Sequence, residues 1–193
     1  MSMMTADASA DLGRATGRPT TATRGLARVR ELGAADNWLA LLVTRRGGAA
    51  DPSVSLVNAG VLPHPHTGAP VVAFVARGAT AKLANLRTRP RATLVFRAGW
   101  EWIAVRGAVE LAGPDDPLPG VTDGADDRLR VLLRDIYTAA GGAHPDLAEY
   151  DRAMAADRRT AVLLAPERFT TNPPGAEHVE SAGVHPEPEE SGR

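Results

Sequence analysis

Six apolar stretches, each of strand length and each closed by turn-forming residues, follow one another along the middle of the chain. No other feature limits the possible folds as tightly. Trp38 to Thr44 is the first, ended by Arg45-Arg46-Gly47-Gly48. Ser53 to Leu62 alternates Val54 and Leu56 with Ser53 and Ser55, then slips at Val57. That pattern predicts a half-buried strand with a bulge or bend at Asn58-Ala59-Gly60. Pro63-His64-Pro65-His66-Thr67-Gly68 breaks the chain, and Val71 to Ala76 returns as the second arm of a hairpin. Ala92 to Arg97 and Trp100 to Leu111 are joined by a tight Ala98-Gly99 turn, and Ala161 to Ala165 with Arg168 to Thr171 make the last strand. Short strands leave unpaired edges unless the sheet closes, so a small antiparallel barrel is the economical architecture.

Helical spacing occurs in three places. Thr80 is placed to cap a helix that runs to about Arg89 and stops at Pro90. Leu83 and Leu86 form its core face, and Lys82, Asn85 and Arg89 share another face. After a Pro-, Asp- and Gly-rich loop from Gly113 to Gly124, Asp126 to Ala140 repeats Leu129, Leu132, Leu133 and Ile136 at helical intervals. Leu147 to Asp157 reads as a second, more polar helix. The fold class is therefore mainly β with helices fitted around the strands. Residues 1–24 and 175–193 have the composition of unstructured extensions, which leaves 25–174 as one domain.

Composition removes several functions. A formal net charge of −1 argues against a general nucleic-acid or membrane-surface binder. With no cysteine there is no disulfide, thiolate nucleophile or thiolate metal site, which is consistent with a cytoplasmic protein. No apolar run approaches the roughly 18 residues of a membrane span. Residues 1–23 lack the apolar centre of a secretory leader. His64 and His66 flank Pro65 at a turn tip with no third ligand at metal spacing, so no metal site is expected. Hydrolase, Walker and dinucleotide motifs are absent.

Among 22 Lys and Arg residues there is a single lysine, Lys82. It lies at the start of the Thr80 helix directly after an apolar run. A compact ammonium on a flexible stem, beside the free N–H groups of a helix start, suits a phosphate. An ordinary basic surface helix is an equal reading from pattern alone. Gly99-Trp100-Glu101-Trp102-Ile103-Ala104-Val105-Arg106-Gly107 carries two of the three tryptophans. On a strand, Trp100 and Trp102 would share a face, as core, as a subunit interface or as one wall of a ring-binding pocket.

Three segments in order carry a family resemblance. Ala79-Thr80-Ala81-Lys82-Leu83-Ala84-Asn85-Leu86-Arg87-Thr88-Arg89-Pro90-Arg91-Ala92 resembles the phosphate-binding stretch of the pyridoxamine-phosphate-oxidase-like, FMN-binding split-barrel flavoproteins. It is most similar to the actinobacterial branch that uses the deazaflavin coenzyme F420, the B group of flavin/deazaflavin oxidoreductases. Trp100 to Gly107 is similar to that branch's following strand, and Glu149 to Met154 with Asp157-Arg158-Arg159 to its late helix. The resemblance spans about Trp38 to Pro174.

It implies a split β-barrel and a homodimer with the cofactor at the subunit interface. It further implies that Thr80 and Lys82 contact the cofactor phosphate and that Asn85 supports the turn. Ser55, Val57 and Asn58 match strand positions that face the ring, largely through backbone groups. Trp102 matches a position that reaches the ring from the partner subunit, and Arg77 one that meets the phosphate or an oligoglutamate tail. The hairpin from Asn58 to Pro70 is longer than the family's usual turn, and could cover the ring or restrict the substrate. The implied activity is hydride transfer between reduced F420 and an unsaturated small molecule. The alternatives are an FMN-dependent oxidase or reductase and a cofactor-binding protein without chemistry.

Overall fold

The computed structural model describes residues 22–46, 51–123 and 127–172. Helix α1 (Ala22–Ala35) leads into β1 (Leu39–Arg45), β2 (Pro52–Pro63) and β3 (Pro70–Ala76). Helix α2 (Ala81–Thr88), β4 (Arg91–Ala98) and β5 (Glu101–Ala112) follow, then α3 (Arg128–Ala139), α4 (Leu147–Ala156) and β6 (Thr160–Thr171). The extensions expected at 1–24 and 175–193 lie outside the described residues, except that Ala22, Thr23 and Arg24 form the first turn of α1. That helix was not expected.

The six strands close into an antiparallel barrel in the order β1-β2-β3-β6-β5-β4, as the sequence predicts. Closure leaves no long edge strand open to pairing. Leu42, Phe74, Leu94, Phe96, Ile103, Val105 and Leu164 fill the interior. Burying each phenylalanine stabilises by about 1.5–3 kcal/mol. Leu26, Val29 and Leu32 of α1 and Leu83 and Leu86 of α2 join the same core. A second layer lies outside the barrel, where Leu132, Leu133 and Ile136 of α3 cover Val71, Ala73 and Leu163.

Strand β2 departs from its expected facing. Val54 and Leu56 are 58% and 57% exposed, whereas Ser53 and Ser55 are partly buried. Pairing explains the inversion, because Ser55 lies opposite buried Leu42 and Ser53 opposite buried Thr44. The expected bend at Asn58-Ala59-Gly60 is instead the point where β2 changes partner. Residues through Asn58 pair with β1, and Ala59 to Pro63 pair with β3. The irregular register among the ladders falls between Arg106 and Gly107 on β5.

Candidate phosphate cradle and outer barrel face

The chain leaves β3 at Ala76 and passes through Gly78 and Ala79 to enter α2. Ala79 is held in the left-handed region at φ 56, a strained conformation for a residue with a Cβ. Thr80 occupies the N-cap position with extended backbone, but its hydroxyl caps nothing. It donates to the Arg77 carbonyl at 3.0 Å. The expected side-chain cap is therefore not made, since the left-handed Ala79 brings the Arg77 carbonyl within reach of that hydroxyl. No other side chain among the described residues caps the helix, which leaves the positive end of α2 with its first N–H groups uncapped.

The cations around this point divide sharply. Arg77 donates from Nε and Nη2 to Asp157 Oδ1, at 3.1 and 2.7 Å, and Arg159 donates from Nε and Nη2 to Oδ2 of the same carboxylate. The hydrogen bond from Arg77, then that from Arg159, holds the Asp157 carboxyl below the usual carboxylate range, and the same bond raises Arg77. Arg87 forks onto Asp116 with two bonds of 2.7 Å. Lys82, partly buried, has no hydrogen-bond or ion-pair partner among the described residues. Asn85 does not share its face in the expected way. It is buried, and its Nδ2 donates to Thr44 Oγ1 at 3.0 Å, tying α2 to β1.

Lys82 and the N–H groups left without a side-chain cap belong to one helix start, a donor set of the type that binds phosphate, while the Thr80 hydroxyl is engaged by the Arg77 carbonyl. Among the described residues no group of His, Asp and Glu is arranged to hold a metal ion.

Strand alternation separates the expected ring-facing residues. Ser55 and Val57 lie on the interior side of β2, opposite Leu42 and Ala40, while Asn58 is exposed and donates from Nδ2 to the Asn37 carbonyl at 2.9 Å. Trp102 is partly buried on β5 between exposed Glu101 and buried Ile103, and pairs in register with Arg97. Trp100 does not share its strand face, because it sits in the turn before β5 and is 59% exposed.

The outer side of β1 and β2 is apolar, and the apolar surface continues onto β4 and β5 in one row and ends in Thr93 and Arg106 in the next. Leu56, Leu41, Val95 and Ala104 form one cross-strand row. Val54, Val43, Thr93 and Arg106 form the next. No helix among the described residues covers Leu41, Val54 or Leu56. A contiguous apolar sheet face of this kind is the hallmark of an interaction surface.

No known protein-family model matches the sequence. Solved structures do match. A pyridoxamine 5'-phosphate oxidase-related, FMN-binding protein from Nostoc punctiforme is 16% identical with a TM-score of 0.50, over 78% of this chain and 84% of that one. A candidate 5-nitroimidazole antibiotic resistance protein from Bacteroides thetaiotaomicron is 12% identical with a TM-score of 0.52, over 80% and 85%. An Agrobacterium tumefaciens protein of unknown function is 17% identical with a TM-score of 0.50, and this chain spans only 56% of its length. The fold is thus a split β-barrel with four helices among the described residues, the fold shared with the pyridoxamine 5'-phosphate oxidase-related, FMN-binding protein. No helix among the described residues is long and apolar enough to cross a membrane.

Sequence reasoning did not single out Asp157 and Arg159 as members of the site. They lay inside the third resembling segment, yet their link to Arg77 spans 80 residues and leaves no local signal.

Proposed function

We propose that the protein is an oxidoreductase that holds coenzyme F420 at the interface of a homodimer and reduces a small, electron-poor alkene, imine or tetrapyrrole. The observation that carries this reading is Lys82, left unpaired at an uncapped helix start while Arg77 and Arg87 are engaged by carboxylates. When bound, such a cofactor supplies the hydride chemistry itself. The protein's part is position and electrostatics. Lys82 and the first N–H groups of α2 anchor the phosphate, the Thr80 hydroxyl turns from the Arg77 carbonyl to join them, and Asn85 keeps α2 registered on β1. The apolar rows around Leu41 and Leu56 support a second copy packing there, with Trp102 near the edge of that contact and water excluded from the ring.

FMN is the second reading, favoured by the FMN-binding protein among the structural neighbours. Both cofactors carry a phosphate, so both would use Lys82. Titration of the purified protein with F420 and with FMN, followed by fluorescence, separates them. F420 is expected to bind at micromolar Kd or tighter, about −8 kcal/mol. Clearly tighter binding of FMN would remove the deazaflavin assignment. If reduced F420 binds but is oxidised by none of a panel of enones and biliverdin, the protein is a cofactor carrier and the enzyme assignment fails.

A further inference from the structure

A cavity of about 460 Å³ opens between the outer side of β2 and β3 and the helices α3 and α4. It is lined by Asn37, Asn58, Tyr137, Tyr150, Met154 and Arg159, with smaller apolar and glycine positions between them. This volume falls within the range of about 300–1,000 Å³ usual for small-molecule sites. Asn58 is shared between the cavity and the outer barrel face, so a molecule seated here reaches the edge of the apolar rows.

The lining is chemically selective. Arg159 is its one charged residue, and no carboxylate lines it. Arg159 uses Nε and Nη2 on Asp157, and its Nη1 has no partner among the described residues. Because Arg77 binds the same carboxylate, two guanidinium groups face one anion and a unit of positive charge is left over. The lining also carries an aromatic pair. Tyr137 and Tyr150 lie with ring centroids 4.8 Å apart, and the Tyr150 hydroxyl donates to the Leu133 carbonyl at 3.1 Å. Burial pushes that hydroxyl up to about 12, so it stays neutral. A guanidinium with its Nη1 edge unengaged, in a cavity otherwise lined by aromatic and thioether surface, favours a flat, unsaturated anion.

Backbone strain converges on the same place. Four non-glycine residues among the described ones are left-handed: Asn37, Trp38, Ala79 and Arg158. Asn37 lines the cavity, Trp38 follows it and packs against the lining residue Gly141, and Arg158 precedes Arg159. The fourth, Ala79, adjoins the phosphate cradle. Strain of this kind persists where surrounding structure enforces a geometry, and it clusters at ligand sites.

We propose that this cavity is the substrate seat and that it takes a planar, conjugated carboxylic acid, with Arg159 holding the carboxylate. The assignment rests on the reading of the protein as an oxidoreductase, since it places the acceptor beside the face where the cofactor ring would lie. Its test needs no cofactor. Anthracene-2-carboxylate and its uncharged carboxamide are titrated into the full-length protein and followed by fluorescence.

The carboxylate is expected to bind about tenfold or more tighter than the amide, the effect of one charge-assisted contact. Arg159→Gln should abolish that preference while leaving amide binding in place, and Arg159→Lys should restore part of it. Ala140→Leu fills the cavity without changing its charge, and should weaken both probes about tenfold. Equal binding of the two probes by the wild type overturns the proposal, and so does unchanged binding in Ala140→Leu, even if Arg159→Gln fails to fold. Lys82→Ala should leave probe binding as it is. Loss of F420 binding in that variant reads the cofactor assignment separately, so the two ideas fail on different measurements.

Discussion

Arg87 donates to both oxygens of Asp116 at 2.7 Å, and Asp116 is only 7% exposed, so a helix that begins at the candidate cofactor site ends by neutralising a buried carboxylate. The Thr160 hydroxyl adds a longer bond of 3.4 Å to Asp116. Arg87 thus fastens α2 to the loop after β5 and to the start of β6. Replacing it with Met leaves a buried charge without its main partner. Stability should fall by about 1–3 kcal/mol in urea unfolding, the cost of an unsatisfied buried group. An unchanged midpoint would show the pair to be dispensable.

Lys82 should behave in the opposite way. Lys82→Ala removes no hydrogen bond or ion pair among the described residues, so unfolding should shift by less than about 0.5 kcal/mol. Cofactor affinity should drop by about 1.5–3 kcal/mol, the worth of a charge-assisted contact. Fluorescence titration and urea unfolding on one preparation check both halves. Full affinity in the variant would place the phosphate elsewhere.

How much of this was legible beforehand depends on whether the cause was local. All six strands announced themselves through apolar runs and turn residues. Helix α1 did not: Leu26, Val29 and Leu32 keep helical spacing, but Gly25 and Gly33 interrupt the run and lower its helix propensity. Both glycines are there for packing. A Cβ at Gly25 would overlap the Phe169 ring, and one at Gly33 would come within 2.7 Å of Trp38. The lone lysine drew attention to the start of α2, and the resemblance placed Arg77 at the same phosphate, while neither showed how Arg77 or Arg87 is engaged. Only the fold reveals their carboxylates, 80 and 29 residues away. On β2, Val54 and Leu56 matched a core face by alternation alone, since the sequence does not say which side of a barrel strand is covered by its own chain.

Gly60 tests how tightly the helical layer sits on the barrel. A Cβ there would overlap the Ala139 carbonyl at the end of α3. Both partners are backbone, so neither can swing aside as a side chain would. Gly60→Ala should cost about 1–3 kcal/mol through overpacking. It should also loosen the α3 terminus, seen as faster amide exchange at Ala140 and Gly141. Wild-type stability and exchange would mean that α3 can shift freely.

Asp151 joins the two late helices, accepting from Arg134 Nε at 2.8 Å and from Arg130 Nη1 at 3.3 Å. The hydrogen bond from Arg134, then that from Arg130, lowers its pKa below the ordinary 3.8. A carboxyl depressed in the folded state stabilises fully above its unfolded pKa, and that contribution is lost as pH falls through the folded value. Thermal stability should therefore hold level from neutrality to about pH 5 and then decline. Asp151→Asn should lower the neutral-pH plateau and flatten the acid decline. An identical acid profile in the variant would assign the decline to other carboxylates, Asp157 first among them.

The exposed rows on β1 and β2 make the assembly testable with one substitution. Leu56 is 57% exposed and lies opposite Leu41, which is 37% exposed. In an isolated subunit Leu56→Glu places a carboxylate in water, where a surface change costs less than about 0.5 kcal/mol. In a dimer packed on this face the same carboxylate would be buried against leucine without a partner, a penalty of several kcal/mol. Sedimentation velocity should find a dimer for the wild type and a monomer for Leu56→Glu, with melting nearly unchanged at high dilution. Because Trp102 is proposed to reach the ring from the second copy, F420 affinity should fall with dimerisation. A variant that remains dimeric would move the interface off this face, and one that turns monomeric yet binds F420 as before would separate the cofactor site from the interface.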